Sequence, residues 1–212
     1  MTTHSTPAGI VREYFESLRW LSLEAQNSED PRHARRLAAI AIIQAVACVE
    51  VFVNLWFRAH VSESKKEKLQ ETLLRDLEAR TSLEKRLATW PKRHLGRELD
   101  LRDGPGLAFV ELKNLRNAIV HFVSTHETVH KPFLIIHGLA DTSEYDALLG
   151  TDAKKALIVA ESFVTEIFRL AGFDVVTTER ALAVWIAKRG LNASIETANH
   201  GVPPWLAPHV ER

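Results

Sequence analysis

The chain has 212 residues, 46% of them hydrophobic, which is enough to build one sizeable core. Its 27 basic and 27 acidic side chains cancel, so net charge alone does not hold long nucleic acid, and any such ligand must meet a local basic site. The single cysteine, Cys48, excludes an intrachain disulfide framework and favours a reducing compartment. The first residues lack the charged-then-apolar order of a secretory signal, so we expect a cytoplasmic protein.

Helical spacing of apolar residues predicts an all-α fold. Asp30 and Pro31 are typical of a helix start, and Thr177 or Thr178 is the expected cap of the last helix. Residues 126–150 are predicted to be irregular, except for a short strand-like run from Pro132 to His137. In chain order, the predicted helices cover about 8–27, 31–58, 62–89, 105–124, 152–171 and 178–188.

The second predicted helix is apolar nearly all round. On length alone its run from Leu37 to Phe57 could span a membrane, but Gln44, Glu50 and Asn54 interrupt it. A buried central helix, and no membrane association, is therefore the prediction.

The candidate chemistry lies in the helix predicted over 105–124. There Arg116, Asn117 and His121 stand within an otherwise apolar helical pattern, and Asn117 and His121, four residues apart, share one face. An imidazole, a cation for a phosphate and an orienting amide are the groups needed to cleave RNA without a metal cofactor.

Two further sets of residues belong to this hypothesis. Glu50 and Asn54 are also four residues apart and are costly to bury without partners, so Glu50 is expected to pair with Arg116 while Asn54 supports the same network. The alternative is a purely structural interhelical ion pair. The basic stretch from Trp90 to Gly106 is either a solvated connection or a loop that steers phosphate. The candidate substrate-binding cations are Arg93, Arg97 and Lys113.

The segment Arg116-Asn117-Ala118-Ile119-Val120-His121 resembles the Arg-x4–6-His motif of the HEPN superfamily, and Ala45–Leu55 resembles its long buried helix. The resemblance implies an antiparallel bundle of about five helices over 8–172. A C-terminal helix and extended tail over 173–212 would then pack on the bundle or on a second subunit.

The same resemblance implies a homodimer in which two motifs form one composite endoribonuclease site. His121 would act as general base or acid, Arg116 would stabilise phosphate charge and Asn117 would orient the imidazole. A toxin–antitoxin or defence module, with a cognate antitoxin or defence protein as partner, is the implied setting. Other members only bind RNA, a nucleotide or a protein, and that alternative stays open. Val123 replaces the tyrosine found in a subset of these toxins, so regulation by nucleotide transfer to that position is not expected.

A competing motif, His126-Glu127-Thr128-Val129-His130, matches the HExxH pattern of zinc peptidases. That chemistry needs both histidines on one helix face. Pro132 disfavours helix just before it, so a polar loop is the preferred interpretation and a zinc hydrolase the less favoured one.

Overall fold

The computed structural model describes residues 6–63, 67–121, 129–131, 134–136 and 142–188. Within these ranges the fold is helical, apart from one short antiparallel hairpin, which confirms the all-α prediction. The elements are α1 (Pro7–Asn27), α2 (Pro31–Glu63), α3 (Glu67–Glu78), α4 (Leu83–Trp90), α5 (Gly104–His121), β1 (Val129–Lys131), β2 (Leu134–Ile136), α6 (Ser143–Asp146), α7 (Gly150–Leu170) and α8 (Val175–Ile186).

Helix α2 forms the centre of the bundle, in contact with α1, α5 and α7, while α8 lies against α1 and α7. Its most apolar 18-residue window has a mean hydropathy of 2.1, and 61% of that window is buried inside the fold. By length and composition α2 could cross a membrane. The mostly buried core helix of a soluble protein can have the same length and composition. Neighbouring helices cover most of the apolar side chains of α2, while Ile40 and Ile43 are 50% and 40% exposed.

Aromatic side chains fill the core around α2. The Phe52 ring meets Phe168 edge-on, with ring centroids 5.4 Å apart, and meets Trp185 of α8 edge-on at 5.9 Å. These contacts join α2 to both α7 and α8. The last helix is therefore part of the bundle's core.

The prediction of a single outer helix over 62–89 is wrong. Helix α2 continues to Glu63, and the charged segment that follows is divided into α3 and α4. Arg80, between them, has a positive φ of 50°, and the Ser82 side chain caps α4 by accepting a hydrogen bond from the Lys85 backbone N–H. The left-handed residue ends one helix and the serine starts the next.

Other boundaries also differ from the sequence patterns. Helix α4 ends at Trp90, directly before Pro91, and the chain continues there into a π-helical turn, Pro91–Leu95, which closes at Gly96 with a φ of 71°. The cap of α8 is Asp174, whose carboxylate accepts from the Thr177 N–H at 2.7 Å, so the helix starts three to four residues before the predicted site. The predicted tail from 192 lies outside the described residues.

Helix α5 is held close to its neighbours at its first turn. A Cβ at Gly106 would lie 1.8 Å from the backbone oxygen of Asp100, so only glycine allows this approach. One turn later, the Phe109 ring packs on Phe163 of α7 at 4.5 Å. These contacts fix the helix that carries the candidate chemistry.

Candidate functional site

The three predicted catalytic residues lie in the second half of α5, where Arg116 falls in the same helical stripe as the buried Leu112 and Ile119. Arg116 and Asn117 are half-buried, and His121, the last residue of the helix, is exposed. Val120 beside it is 43% exposed. An amide and an imidazole one turn apart therefore share a surface that is partly apolar, as the sequence predicted.

Arg116 is not engaged by the rest of the fold. Within the described ranges, no hydrogen bond or ion pair of its guanidinium is found, whereas Arg19, Arg86 and Arg93 all pair with carboxylates. As far as the described residues go, the five donors of this half-buried guanidinium are therefore not used within the fold.

Glu50 and Asn54 do not pair with Arg116, and that prediction is wrong. Both accept hydrogen bonds from Arg86 of α4: one terminal nitrogen donates to the Asn54 amide oxygen and the other to the Glu50 carboxylate. Because the two acceptors stand one turn apart on α2, the planar fork of a single arginine spans both. The predicted polar pair is real, but its partner comes from another helix.

Arg86 is the residue that sequence reasoning missed. It is only 5% exposed, and its guanidinium lies 5.7 Å from the centre of the Trp90 ring. Its position between Leu83 and Trp90, both buried, places it on the inward face of α4. An arginine within an apolar stripe could have signalled a buried ion pair, had the boundary of α4 been known.

The predicted substrate-binding cations already have partners. Lys113, one turn before Asn117 on α5, pairs with Glu84 at the start of α4. Arg93 donates to Asp76 of α3 at 2.8 Å, and Arg97 donates to the backbone oxygen of Leu170 at 3.4 Å. Arg93 thus contacts α3, and Arg97 contacts α7. Of the three candidate cations, Lys113 lies on the same helix as Arg116.

Asp76 also holds the π-helical turn. Besides Arg93, its carboxylate accepts from the Trp90 indole N–H at 3.0 Å. Although burial opposes the change, the hydrogen bonds from Trp90 and Arg93 lower the pKa of Asp76 below its usual value. The Asp76 carboxylate thus attaches the start of the basic stretch to α3.

His94, at the end of this turn, has an unusual environment. Its ring lies 5.9 Å from Phe57 and 6.3 Å from Trp90, and within the described residues neither ring nitrogen has a hydrogen-bond partner. Burial, together with the nearby charges of Arg93 and His60, lowers the pKa of His94 to about 4. The imidazole is therefore neutral near pH 7.

The zinc-peptidase motif lacks the helix that its chemistry needs. Val129 and His130 form part of strand β1, paired with Ile136 and Ile135 of β2. A strand at His130 is not the helical conformation that the zinc chemistry requires there, and His126 lies outside the described residues. No group of three or more potential metal ligands occurs among the described residues.

Comparison of the chain with protein-family models, curated proteins and solved structures finds no match to any of them.

Proposed function

We propose that this protein is a HEPN-like, metal-independent endoribonuclease. The observation that carries the proposal is the Arg116 guanidinium, which has no partner among the described residues, beside Asn117 and, one turn later, the exposed His121 imidazole at the end of α5. Helices α1, α5 and α7 pack on α2, and α8 packs on α1 and α7, an arrangement that supports an HEPN-like bundle. The long buried α2 corresponds to the central helix that the resemblance implies.

In the proposed reaction, one His121 takes the proton of a ribose 2′-hydroxyl, whose oxygen attacks the adjacent phosphorus. The bond from phosphorus to the 5′-oxygen breaks, and a second imidazole protonates that leaving oxygen. The products are a 2′,3′-cyclic phosphate and a free 5′-hydroxyl, so no water is consumed. Arg116 stabilises the charge that gathers on the phosphate oxygens, and Asn117 orients the imidazole.

A base and an acid are needed at once, and α5 offers one imidazole for both roles. A homodimer in which two copies of α5 face each other supplies the second His121. The half-buried Asn117 and the exposed Val120 suit such a contact, since both polar and apolar groups line this part of the helix. We propose a cytoplasmic toxin–antitoxin or defence module as the setting.

Cleavage of total RNA in excess EDTA, with wild type, His121→Ala and the control His33→Ala, tests the proposal. His33 is an exposed histidine in the first turn of α2. The expected result is cleavage by wild type and control, cyclic-phosphate ends on the products, and a loss of at least about 100-fold in His121→Ala. Equal cleavage by all three proteins, or activity abolished by EDTA in the wild type, would overturn the proposal.

A second candidate is a non-catalytic HEPN-like domain that binds RNA, a nucleotide or a protein. The observation that favours it is that Lys113, Arg93 and Arg97, the three cations predicted to bind substrate, are engaged in internal contacts. Binding without cleavage, unchanged in His121→Ala and weakened in Arg116→Ala, would favour this candidate over the nuclease.

A further inference from the structure

The end of α2 and the start of α3 form the two walls of a small cleft. The Gln70 side chain of α3 donates a hydrogen bond to the backbone oxygen of Val61 at 3.4 Å. Further along α3, Asp76 accepts from Trp90, whose ring packs on that of Phe57 in α2. As α3 advances it therefore meets earlier residues of α2, so the two helices run antiparallel.

The cleft is lined by one face of each helix and has a volume of about 100 Å³. Each helix contributes residues at i, i+3 and i+4, which share a face. The lining residues are Arg58, Val61, Ser62, Gln70, Leu73 and Leu74. Val61 and Leu73 are almost fully buried, whereas Leu74 is 43% exposed. Since a cavity of about 150 Å³ holds benzene, this space holds roughly four carbon atoms.

Arg58 brings a cation to the edge of this apolar space. Its side chain is exposed, and among the residues that the structure describes no ion pair of its guanidinium is found. Arg86 and Arg93, by contrast, both pair with carboxylates. A guanidinium fork binds the two oxygens of a carboxylate through parallel hydrogen bonds. The cleft is therefore complementary to a carboxylate that is attached to an aliphatic group.

We propose that the cleft binds a branched aliphatic group of about four carbon atoms that carries a carboxylate, the chemistry of a leucine at a peptide C-terminus or of a small branched acid. The aliphatic group contacts Val61, Leu73 and Leu74, and the carboxylate binds Arg58. The Ser62 hydroxyl lines the same cleft and can donate a further hydrogen bond to the carboxylate. The site belongs to α2 and α3 and does not rest on the nuclease reaction proposed for α5.

Titration of isotope-labelled full-length protein with N-acetyl-leucine, followed by amide chemical shifts in NMR spectra, tests the site. The expected result is saturable shifts centred on 58–62 and 70–74, with a Kd on the order of 1 mM, because so small a ligand offers few contacting atoms. N-acetyl-alanine fills less of the cleft, and the uncharged amide of N-acetyl-leucine lacks the carboxylate. Each should bind at least about tenfold more weakly.

A pentapeptide that ends in leucine distinguishes the two sources of this chemistry. Tighter binding of the peptide than of N-acetyl-leucine identifies a peptide terminus as the ligand. Equal or weaker binding of the peptide identifies a small branched acid.

Arg58→Gln tests the role of the cation and should weaken the binding of N-acetyl-leucine at least about tenfold. Arg180→Gln, at an exposed position of α8, is the matched control and should bind as wild type does. Circular dichroism checks that both variants keep the fold. Equal binding by wild type and Arg58→Gln, or equal binding of the acid and its amide, would overturn the proposal. So would the absence of shifts in 58–62 and 70–74 at concentrations far above the expected Kd.

Discussion

The guanidinium of Arg86 in α4 donates to the carboxylate of Glu50 in α2, and the same fork reaches Asn54 one turn along. This contact attaches α4 to the central helix. Glu84 at the start of α4 also pairs with Lys113 of α5. Helix α4 thus links α2 to the helix that carries Arg116 and His121, although it contributes neither of those residues.

Arg86→Leu should lower the free energy of unfolding by about 1–3 kcal/mol. Loss of one partner of a buried ion pair can cost about 3–5 kcal/mol, but the Glu50 side chain is 39% exposed, so water offsets part of the loss. Urea denaturation followed by circular dichroism measures the change. Arg36→Leu, at an exposed position of α2, is the matched control and should lie within about 0.5 kcal/mol of wild type.

A double-mutant cycle separates the ion pair from the packing of the arginine stem. If Arg86 acts through Glu50, then Glu50→Gln should cost less in the Arg86→Leu background than alone, with a coupling of about 0.5–3 kcal/mol. Additive effects of the two substitutions would show that the contact contributes nothing to stability.

His94 predicts a loss of stability on acidification. Its pKa of about 4 in the folded chain lies below the ordinary value of 6.5. Between pH 6.5 and pH 4, His94 is therefore protonated in the unfolded chain but neutral in the folded chain. The resulting penalty is absent above about pH 6.5, grows as the pH falls, and is complete below about pH 4. Because the ring is half-buried, we expect a contribution on the order of 1–2 kcal/mol.

His94→Phe keeps an aromatic ring against Phe57 and Trp90 but cannot take up a proton. The decline in unfolding free energy between pH 6.5 and 4.5 should therefore be shallower in this variant than in wild type or in His33→Phe, whose histidine is exposed. Parallel pH profiles for all three proteins would contradict the assigned role of His94.

Gly106→Ala should destabilise the fold by about 2–3 kcal/mol or more, since its Cβ would fall 1.8 Å from the Asp100 backbone oxygen and backbone must move. Gly96→Ala is the comparison: its φ is 71°, but no atom lies within 4 Å of the added Cβ, so about 1 kcal/mol of conformational strain is expected. Urea titration of both variants measures the difference. Equal costs would mean that α5 is not held by this close approach.

Subunit mixing tests the composite site. Wild type and His121→Ala, mixed one to one and allowed to exchange, give about one quarter wild-type homodimers. If both imidazoles are needed, activity should fall to about one quarter of that of wild type at equal total concentration. An activity of about one half would mean that each protomer works independently.

The sequence patterns predicted the elements with long apolar periodicity. Helices α1 and α7 begin and end within two residues of their expected limits, because their apolar stripes are long. Helix α2 begins at Pro31 as predicted, where Asp30 caps it, but ends five residues later than predicted. The sequence did not predict that 62–89 is divided into α3 and α4. The break depends on the left-handed conformation of one residue, Arg80, and the charged residues around it are compatible with a continuous helix. The cap at Asp174 was missed because three neighbouring residues could each serve as a cap.

For the candidate site, the sequence by itself determined that Asn117 and His121 share a helix face, since this follows from helical periodicity. It also determined that Glu50 and Asn54 need a partner, because burying unpaired polar groups is costly. Only the tertiary structure decided which cation serves Glu50. Arg86 and Arg116 carry the same charge, and the choice between them depends on how α4 and α5 pack against α2. That packing is set by contacts between residues far apart in sequence, such as Phe109 with Phe163, which no local pattern encodes.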